Sequence, residues 1–431
     1  MFIALLGRQP ELSIAELQAV FGRNAVKRRA TQVAMVNTDH INITALGGTV
    51  KCGVVLHELP AGRNDKGSLI ATATWLQQQY VSRLVTTDGK ITLGISAYGL
   101  SVTARDVQKT GLLLKSTIKR SGVSVRLIPN SEPALSTATS HNNKLGLSPK
   151  KRELFIVAAD NGKIIIAESR GTQNITAYAR RDRERPRRDA FVGMLPPKLA
   201  QMMVNMAVGA LAGAATTSPL TASRRASADA RAADCSGSCI TAPARRPTSR
   251  TILDPFCGTG TVLQEALLKD YSVYGSDISP KMIDYTTENL AWLQATHRGC
   301  GHVMTIRQGD ATTHQWPEAS SLDAVVCETY LGQPFSAPPR PEKLKEVVGN
   351  CNHIISGFLR NIHNQLRPGT PLCIAVPSWQ AADGHFTRLP LTRQLAELGY
   401  TQLNTTPLRY HRPGQVVARD ILLLRVAQKA A

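Results

Sequence analysis

Aromatic residues are scarce in this 431-residue chain, at 5%, and acids are outnumbered, with 31 Asp and Glu against 51 Lys and Arg. No apolar run approaches the roughly 20 residues that a membrane-spanning helix needs, so no membrane span is expected. The apolar start Met1–Leu6 is interrupted at once by Arg8, Glu11 and Glu16, and no signal peptide is expected. Eight cysteines are too few for a disulfide scaffold; they suit a reducing, cytoplasmic compartment. What is abundant is positive charge. The formal net charge of +20 suits a chain that approaches a polyanion, nucleic acid first among them, although a generally basic composition with no specific partner would look the same. At 42% apolar the chain folds, and its length predicts two or three domains.

Residues 1–90 alternate strand-like and helix-like stretches and read as a small α/β module. Strands are expected at 2–6, 34–36 and 51–56. The apolar face of Ile14, Leu17, Val20 and Phe21 predicts a helix that Gly22 ends. Residues 92–178 are more basic. Strands are expected over 92–96, 123–127, 154–158 and 163–167, with a helix over 105–120 that carries Lys115 and Lys119 away from its apolar stripe. A charge run of this kind is usually a solvated face. The segment 179–212 opens with Arg181, Arg183, Arg185, Arg187 and Arg188 around Pro186, which prevents a continuous helix. Arginine at that density suits bidentate phosphate contacts, and an Arg/Asp network between domains is an equal alternative. A helix with Pro197 in its first turn follows. Residues 213–250 lose all periodicity and read as a disordered insertion. Cys235 and Cys239 inside it have no second ligand pair, so no metal site is expected.

From 251 to 431 the pattern is β-α-β-α, which predicts a parallel sheet. The strand Thr251-Ile252-Leu253 runs into Asp254-Pro255-Phe256-Cys257-Gly258-Thr259-Gly260-Thr261, and a helix follows. A glycine-rich turn there lets a ligand approach the backbone closely. No Gly-Lys-Ser/Thr follows, so it is not a P-loop. An acid before the turn would repel a pyrophosphate but suits a cationic ligand such as the methionine end of S-adenosylmethionine. A second strand ends in Asp277, 23 residues after Asp254, where an α/β nucleotide fold places the carboxylate for ribose hydroxyls. A third ends in Gly309-Asp310, suited to an adenine amino group. A helix cap or surface carboxylate would explain one of these acids, not all three. The fourth strand leads to Glu328-Thr329-Tyr330-Leu331. An amino-methylating enzyme needs an acceptor for the exocyclic N–H there, for which Glu328 is the candidate, and a surface for an extruded base, for which Tyr330 is. Neither Cys257 nor Cys327 has a neighbouring general base, which disfavours cysteine-based chemistry. Helices are expected over 351–366 and 391–398, and strands over 371–376, 401–408 and 415–426.

The stretch from Arg181 to Ala207, with Arg-Pro-Arg-Arg-Asp and Gly-Met-Leu-Pro-Pro-Lys-Leu-Ala-Gln, and the Asp254–Thr261 turn resemble the THUMP-containing tRNA guanosine-10 N2-methyltransferases. Asn143–Leu145 and Asn174–Tyr178 are similar to THUMP-region elements of that family. The resemblance implies a Rossmann-like class I methyltransferase domain over 251–431. Before it would stand a ferredoxin-like module (1–90) and a THUMP-like RNA-binding domain (92–178). It implies S-adenosylmethionine held by Asp254, Cys257, Gly258, Thr259, Gly260, Asp277, Ile278, Asp310 and Ala311. Its RNA partner would be tRNA or another structured RNA, met by Lys115, Lys119 and the Arg181–Arg188 run. The chain departs from the family at the catalytic loop. Glu328-Thr329-Tyr330-Leu331 stands where the family has Asp-Pro-Pro-Tyr, and loss of both prolines is expected to loosen the loop. A catalytically silent RNA-binding chain, or an amino-methylating enzyme acting on another nucleic acid, are the alternatives.

Overall fold

The computed structural model describes residues 1–85, 89–189, 194–212, 250–297 and 299–428. Most of the segment expected to be a disordered insertion, with Cys235 and Cys239, lies outside them. The chain forms two compact units. One comprises Met1–Arg185, Pro196–Asn205 and Leu408–Tyr410; the other Pro186–Leu195, Met206–Pro407 and His411–Ala431.

The first unit is built on a single eight-stranded sheet. Its strands are β1 (Phe2–Leu6), β2 (Val26–Ala30), β3 (Val33–Val36), β4 (Thr49–Pro60), β5 (Ile91–Tyr98), β6 (Val125–Leu127), β7 (Lys151–Ala159) and β8 (Lys163–Thr172). Their order is β2-β3-β1-β4-β8-β7-β5-β6. The long antiparallel pairing of β4 with β8, from Lys51 opposite Thr172 to Pro60 opposite Lys163, joins the strands before residue 61 and those after residue 90 into one sheet. Helices α1 (Pro10–Phe21), α2 (Asp65–Trp75), α3 (Val81–Val85), α4 (Ala104–Arg120), α5 (Thr137–Asn142) and α6 (Ile175–Arg183) accompany it. Leu69, Leu76 and Tyr80 share one apolar cluster with Ile91, Leu93, Val107 and Leu114. Packing is therefore continuous across residue 90. The α4 helix starts at a capping box in which Thr103 and Asp106 each accept the other's backbone N–H, which satisfies two orphan donors. Its apolar stripe of Val107, Leu114 and Ile118 is buried, while Lys119 is exposed and Lys115 half-buried.

Helix α7 (Pro197–Ala212) belongs to both units. In the first, Asn205 Nδ2 donates to Glu16 Oε1 at 2.6 Å. The Glu16 carboxylate also receives the N–H groups of Gly47 and Gly48, each at 2.8 Å. Those two positions must be glycine. A Cβ on Gly47 would stand 2.2 Å from the Lys198 carbonyl oxygen, and one on Gly48 2.7 Å from Ser13 Oγ.

The second unit carries β9 (Thr251–Asp254), β10 (Ser272–Asp277), β11 (Val303–Gln308), β12 (Ala324–Glu328), β13 (Pro371–Gln380), β14 (Phe386–Arg388), β15 (Tyr400–Gln402), β16 (Leu408–Tyr410, counted with the first unit) and β17 (Val417–Val426). Its main path runs β11-β10-β9-β12-β13-β17-β15. The five strands from β11 to β13 are parallel, and β17 and β15 are antiparallel to their neighbours. The connecting helices are α8 (Thr261–Leu267), α9 (Pro280–Thr296) and α10 (Pro341–His363). Leu253, Val325, Cys327, Ile374, Phe358 and Trp379 lie in one large buried cluster between sheet and helix. Because β9 lies mid-sheet and the chain winds outward from it in both directions, the carboxyl ends of β9, β10, β11 and β12 share one edge. An open α/β sheet binds ligands at such a switch point.

Three sequence expectations need correction, the first being the strand expected over 401–408, which is split into β15 (Tyr400–Gln402) and β16 (Leu408–Tyr410) with no strand over 403–407. The helix expected from 351 begins ten residues earlier, at Pro341. Its first turns carry the exposed charges Glu342, Lys343, Lys345 and Glu346, which hide the apolar period there. The helix expected over 391–398 is a single 3-10 turn, Pro390–Arg393. Burial of Leu391 and Leu395 and the left-handed Gly399 (φ +87°) complete that connection with no regular helix.

Candidate active site

The turn after β9 is shaped by backbone rather than by bulk. Gly258 (φ +52°) and Gly260 (φ +83°) both lie in the left-handed region, where a side chain would strain the chain. Cys257 N–H donates to the Ser276 carbonyl at 2.9 Å, which ties the turn to β10. From α9, Thr286 Oγ1 donates to the Gly258 carbonyl at 2.7 Å and Asn289 Nδ2 to the Thr259 carbonyl at 2.9 Å. The Cys257 thiol is buried and its pKa is pushed well up by desolvation. This is a packing role, not a nucleophile's.

Asp277 closes the turn from the next strand. Its Oδ2 accepts from Gly258 N–H at 3.0 Å, and its Oδ1 accepts from Ser279 N–H at 2.9 Å. Each oxygen keeps a further lone pair. Burial raises its pKa, and the two N–H groups pull it back. Asp254, at the end of β9, is 2% exposed. Burial lifts its carboxyl well above the usual range, and the neighbouring charges of Asp277 and Glu328 push the same way. Asp254 therefore feels the acids at two neighbouring strand ends. Asp310, two residues beyond β11, is exposed. Its Oδ1 takes both the N–H and the hydroxyl of Thr312, at 2.9 and 2.7 Å, and these bonds hold its pKa down. Its Oδ2 has no protein partner among the described residues. Before it, Gly309 N–H donates to the Asp277 carbonyl at 2.9 Å. A Cβ on Gly309 would meet the His314 ring at 2.3 Å, so the glycine of this pair also makes room for that ring. Ala311 is buried, and its carbonyl accepts from Asn361 Nδ2 of α10 at 3.0 Å. Ile278 stands 66% exposed beside Asp277, an apolar face left in the open.

The residues present fit S-adenosylmethionine. A Cβ on Gly258 would meet only the Phe256 carbonyl oxygen, at 3.9 Å, so the turn borders free space. Asp277 has lone pairs left for ribose hydroxyls, Asp310 has a free oxygen for an amino group, and Ile278 can cover a flat base.

At the end of β12, Glu328 is ion-paired with Arg419 of β17 through Arg419 Nε. The arginine reaches across the intervening β13. Glu328 is opposite Ala375, and Pro377 is opposite Arg419, so these four residues share one face of the sheet. Ala375 leaves room for the arginine's reach. Burial raises the Glu328 pKa and Arg419 opposes the rise. Arg419 is the residue that sequence reasoning missed. Its signal was the adjacent pair Arg419-Asp420 inside the apolar strand Val417–Val426, since two neighbouring charges in a buried strand need partners. Asp420 points to the other face, where it accepts from Ser378 Oγ at 3.0 Å and Arg388 Nε at 2.8 Å.

The loop after Glu328 is tethered despite its missing prolines. Thr329 is buried, and both its N–H and its hydroxyl donate to the Ala375 carbonyl at 3.0 Å. Proline could make neither bond. Gly332 (φ +78°) brings the backbone down on α10, where a Cβ would stand 2.9 Å from Val347 and 3.1 Å from Cys351 Sγ. Tyr330 between them is 40% exposed.

The arginine run is divided. Arg181 is buried, stacked 4.3 Å over the Tyr178 ring, and Arg185 is buried too. A phosphate does not reach either position as folded. Arg187 pairs with Glu288 of α9 at 2.7 Å, its N–H donates to Asn289 Oδ1 at 2.9 Å, and Asp189 pairs with Lys281 at 3.1 Å. The 187–189 stretch is thus stapled to α9 by charge. Arg183 and Arg188 remain exposed. Among the described residues no cluster of acids, histidines and cysteines could hold a metal ion, and no helix is long and apolar enough to cross a membrane.

Strand order, glycine turn and acid-tipped strands together define the second unit as a methyltransferase domain of the S-adenosylmethionine-dependent class. Residues 248–407 match the family model described as a methyltransferase domain. The chain is 35% identical over 128 residues to the tRNA (guanine(10)-N2)-dimethyltransferase of Methanothermobacter thermautotrophicus. That match covers 30% of this chain and 33% of the relative, so it spans about one third of the curated protein's length. The crystal structure of TrmN from Thermus thermophilus aligns over 99% of both chains, with a TM-score of 0.50 and 15% identity. This likeness extends the shared fold over both units.

Proposed function

We propose that this protein methylates an exocyclic amino group of tRNA, guanine N2, using S-adenosylmethionine. The observation that carries the reading is Glu328. It is a carboxylate at the tip of the strand beside β9, close enough to Asp254 to raise that residue's pKa, and held in place by Arg419. Bound S-adenosylmethionine supplies an electrophilic methyl group on sulfonium. Glu328 accepts a hydrogen bond from the amine, which turns the nitrogen lone pair outward and stabilises the positive charge that grows on it. Tyr330 offers the surface on which a base taken out of its stack can rest. Asp277 holds the ribose and Asp310 the adenine amino group, and Asp254 lies under the turn.

The tRNA part of the reading rests on the M. thermautotrophicus relative, whose name states that substrate, and on the excess of positive charge. The first unit is the RNA-holding part in this reading, a ferredoxin-like and THUMP-like region that grips shape and backbone. Lys115, Lys119, Arg183 and Arg188 supply the exposed cations.

Transfer of tritiated methyl from S-adenosylmethionine to bulk tRNA, followed by nucleoside mass analysis, tests the proposal. N2-methylguanosine or its dimethyl form is the expected product. Cofactor binding without transfer to tRNA would leave a silent binding module, and equal labelling of DNA would move the substrate.

A further inference from the structure

Beyond Tyr330 the second unit has a groove of about 300 Å³, lined by Tyr330, Gln333, Lys343, Glu346, Val347 and Asn350. None of the cofactor-site acids lines it, and neither does Glu328. Four of the six residues come from α10 at positions i, i+3, i+4 and i+7, so they form one stripe along the helix. Gly332 sets the loop backbone against that stripe, with Val347 below it. The wall is an aromatic ring, the floor a buried valine, and the rim polar. The amides of Gln333 and Asn350 make no hydrogen bond among the described residues. Lys343 Nζ stands 2.9 Å from both oxygens of Glu346, and the two side chains are 44% and 67% exposed.

We propose that this groove receives a guanine base that neighbours the methyl acceptor in the RNA, packed on the side of Tyr330 that lines the groove, with the other side left to the acceptor base, and read by Glu346 and Lys343. The inference rests on the RNA-methylating reading and deepens it, because a base-reading groove beside the acceptor loop would select the site of modification. The Glu346 carboxylate offsets the Lys343 ammonium, so the groove has no net positive charge to favour a phosphate, and its oxygens call for donors. Guanine presents two adjacent N–H donors, N1 and N2, beside the O6 acceptor, which matches a carboxylate next to an ammonium. Adenine turns its N1 acceptor towards the carboxylate, and uracil offers one donor between two acceptors. Tyr330 supplies stacking, which any base accepts, so selectivity lies with the charged pair.

The test is fluorescence anisotropy of the full chain with labelled single-stranded pentanucleotides that differ only in the central base, guanine, inosine or adenine, at one fixed salt concentration. Guanine is expected to bind roughly tenfold more tightly than adenine. Inosine, which lacks the N2 amine, should fall between them. Glu346→Gln, an exposed change that leaves the fold alone, should shrink the preference to less than about twofold. Equal affinities for the three bases, or a preference that survives in Glu346→Gln, would overturn the groove's role. The readout does not need methyl transfer. Base preference without transfer would sink the enzyme reading and keep the groove, whereas transfer without preference would do the reverse.

Discussion

Both units bury a carboxylate whose cation comes from two strands away. In the first, Lys51 of β4 reaches across β8 to Glu153 of β7 at 2.6 Å, with the two side chains 2% and 0% exposed. Glu153 Oε1 also accepts from Ser96 Oγ at 2.6 Å, and Lys51 donates to the Leu135 carbonyl at 2.7 Å. In the second, Arg419 reaches across β13 to Glu328, with 10% and 16% exposed. Desolvation pushes the Lys51 pKa down and the Glu328 pKa up, and in both pairs the partner opposes the shift. What separates them is position. Glu153 lies within the sheet, buried by protein on all sides, whereas Glu328 ends β12 on the edge that carries the Asp254–Thr261 turn. The same device fixes structure in one unit and, in the proposed function, presents an acceptor in the other.

Removing one partner of the enclosed pair should have the largest effect. Lys51→Met leaves Glu153 charged and uncompensated, and should cost about 3–5 kcal/mol in urea unfolding. Cofactor affinity of the molecules that remain folded should be unchanged; a fall in that affinity would blur the division between the pairs. At the open pair, Glu328→Ala should lower methyl transfer by about 10²–10⁴-fold with cofactor binding intact. Glu328→Gln, which keeps a carbonyl acceptor, should be milder, and identical rates for the two would remove the acceptor role.

The pH profile sharpens the same point. The Glu328 pKa is raised, so its acceptor charge is complete above that value and is lost as pH falls through it. Transfer should therefore fade on the acid side above the ordinary glutamate range, and Glu328→Gln should abolish that limb. Asp277→Ala comes next, weakening cofactor binding about ten- to a hundredfold by calorimetry, because the turn's N–H groups and the ribose both lose their acceptor. The smallest effect is expected from Arg183→Ala with Arg188→Ala. RNA affinity should drop modestly, and the slope of log affinity against log salt should flatten by about 1–2. An unchanged slope would assign these arginines to the folded scaffold, with Arg181 and Arg185.

Much of the second unit was legible in the chain. Strands 251–254 and 272–277 show as apolar runs, and the turn between them shows as glycines at the two places where a positive φ is required. Local signals of that kind survive without tertiary context. The acceptor loop was harder to read. Two lost prolines argued for looseness, yet Thr329 donates twice to Ala375, and only the register of β12 on β13 reveals that. The one-sheet union of residues 1–60 with 91–172 was equally hidden, since it depends on β4 meeting β8 more than a hundred residues on.

Local chemistry, then, determined which residues are able to act: the acids that follow the strands, the glycines that turn, and the cationic surplus. Tertiary structure decided which of them are free to act. It buried Arg181 and Arg185, occupied Arg187 with Glu288, and gave Glu328 a partner 91 residues away. Burial and long-range pairing set a charge's availability, and neither is written in the residues next to it.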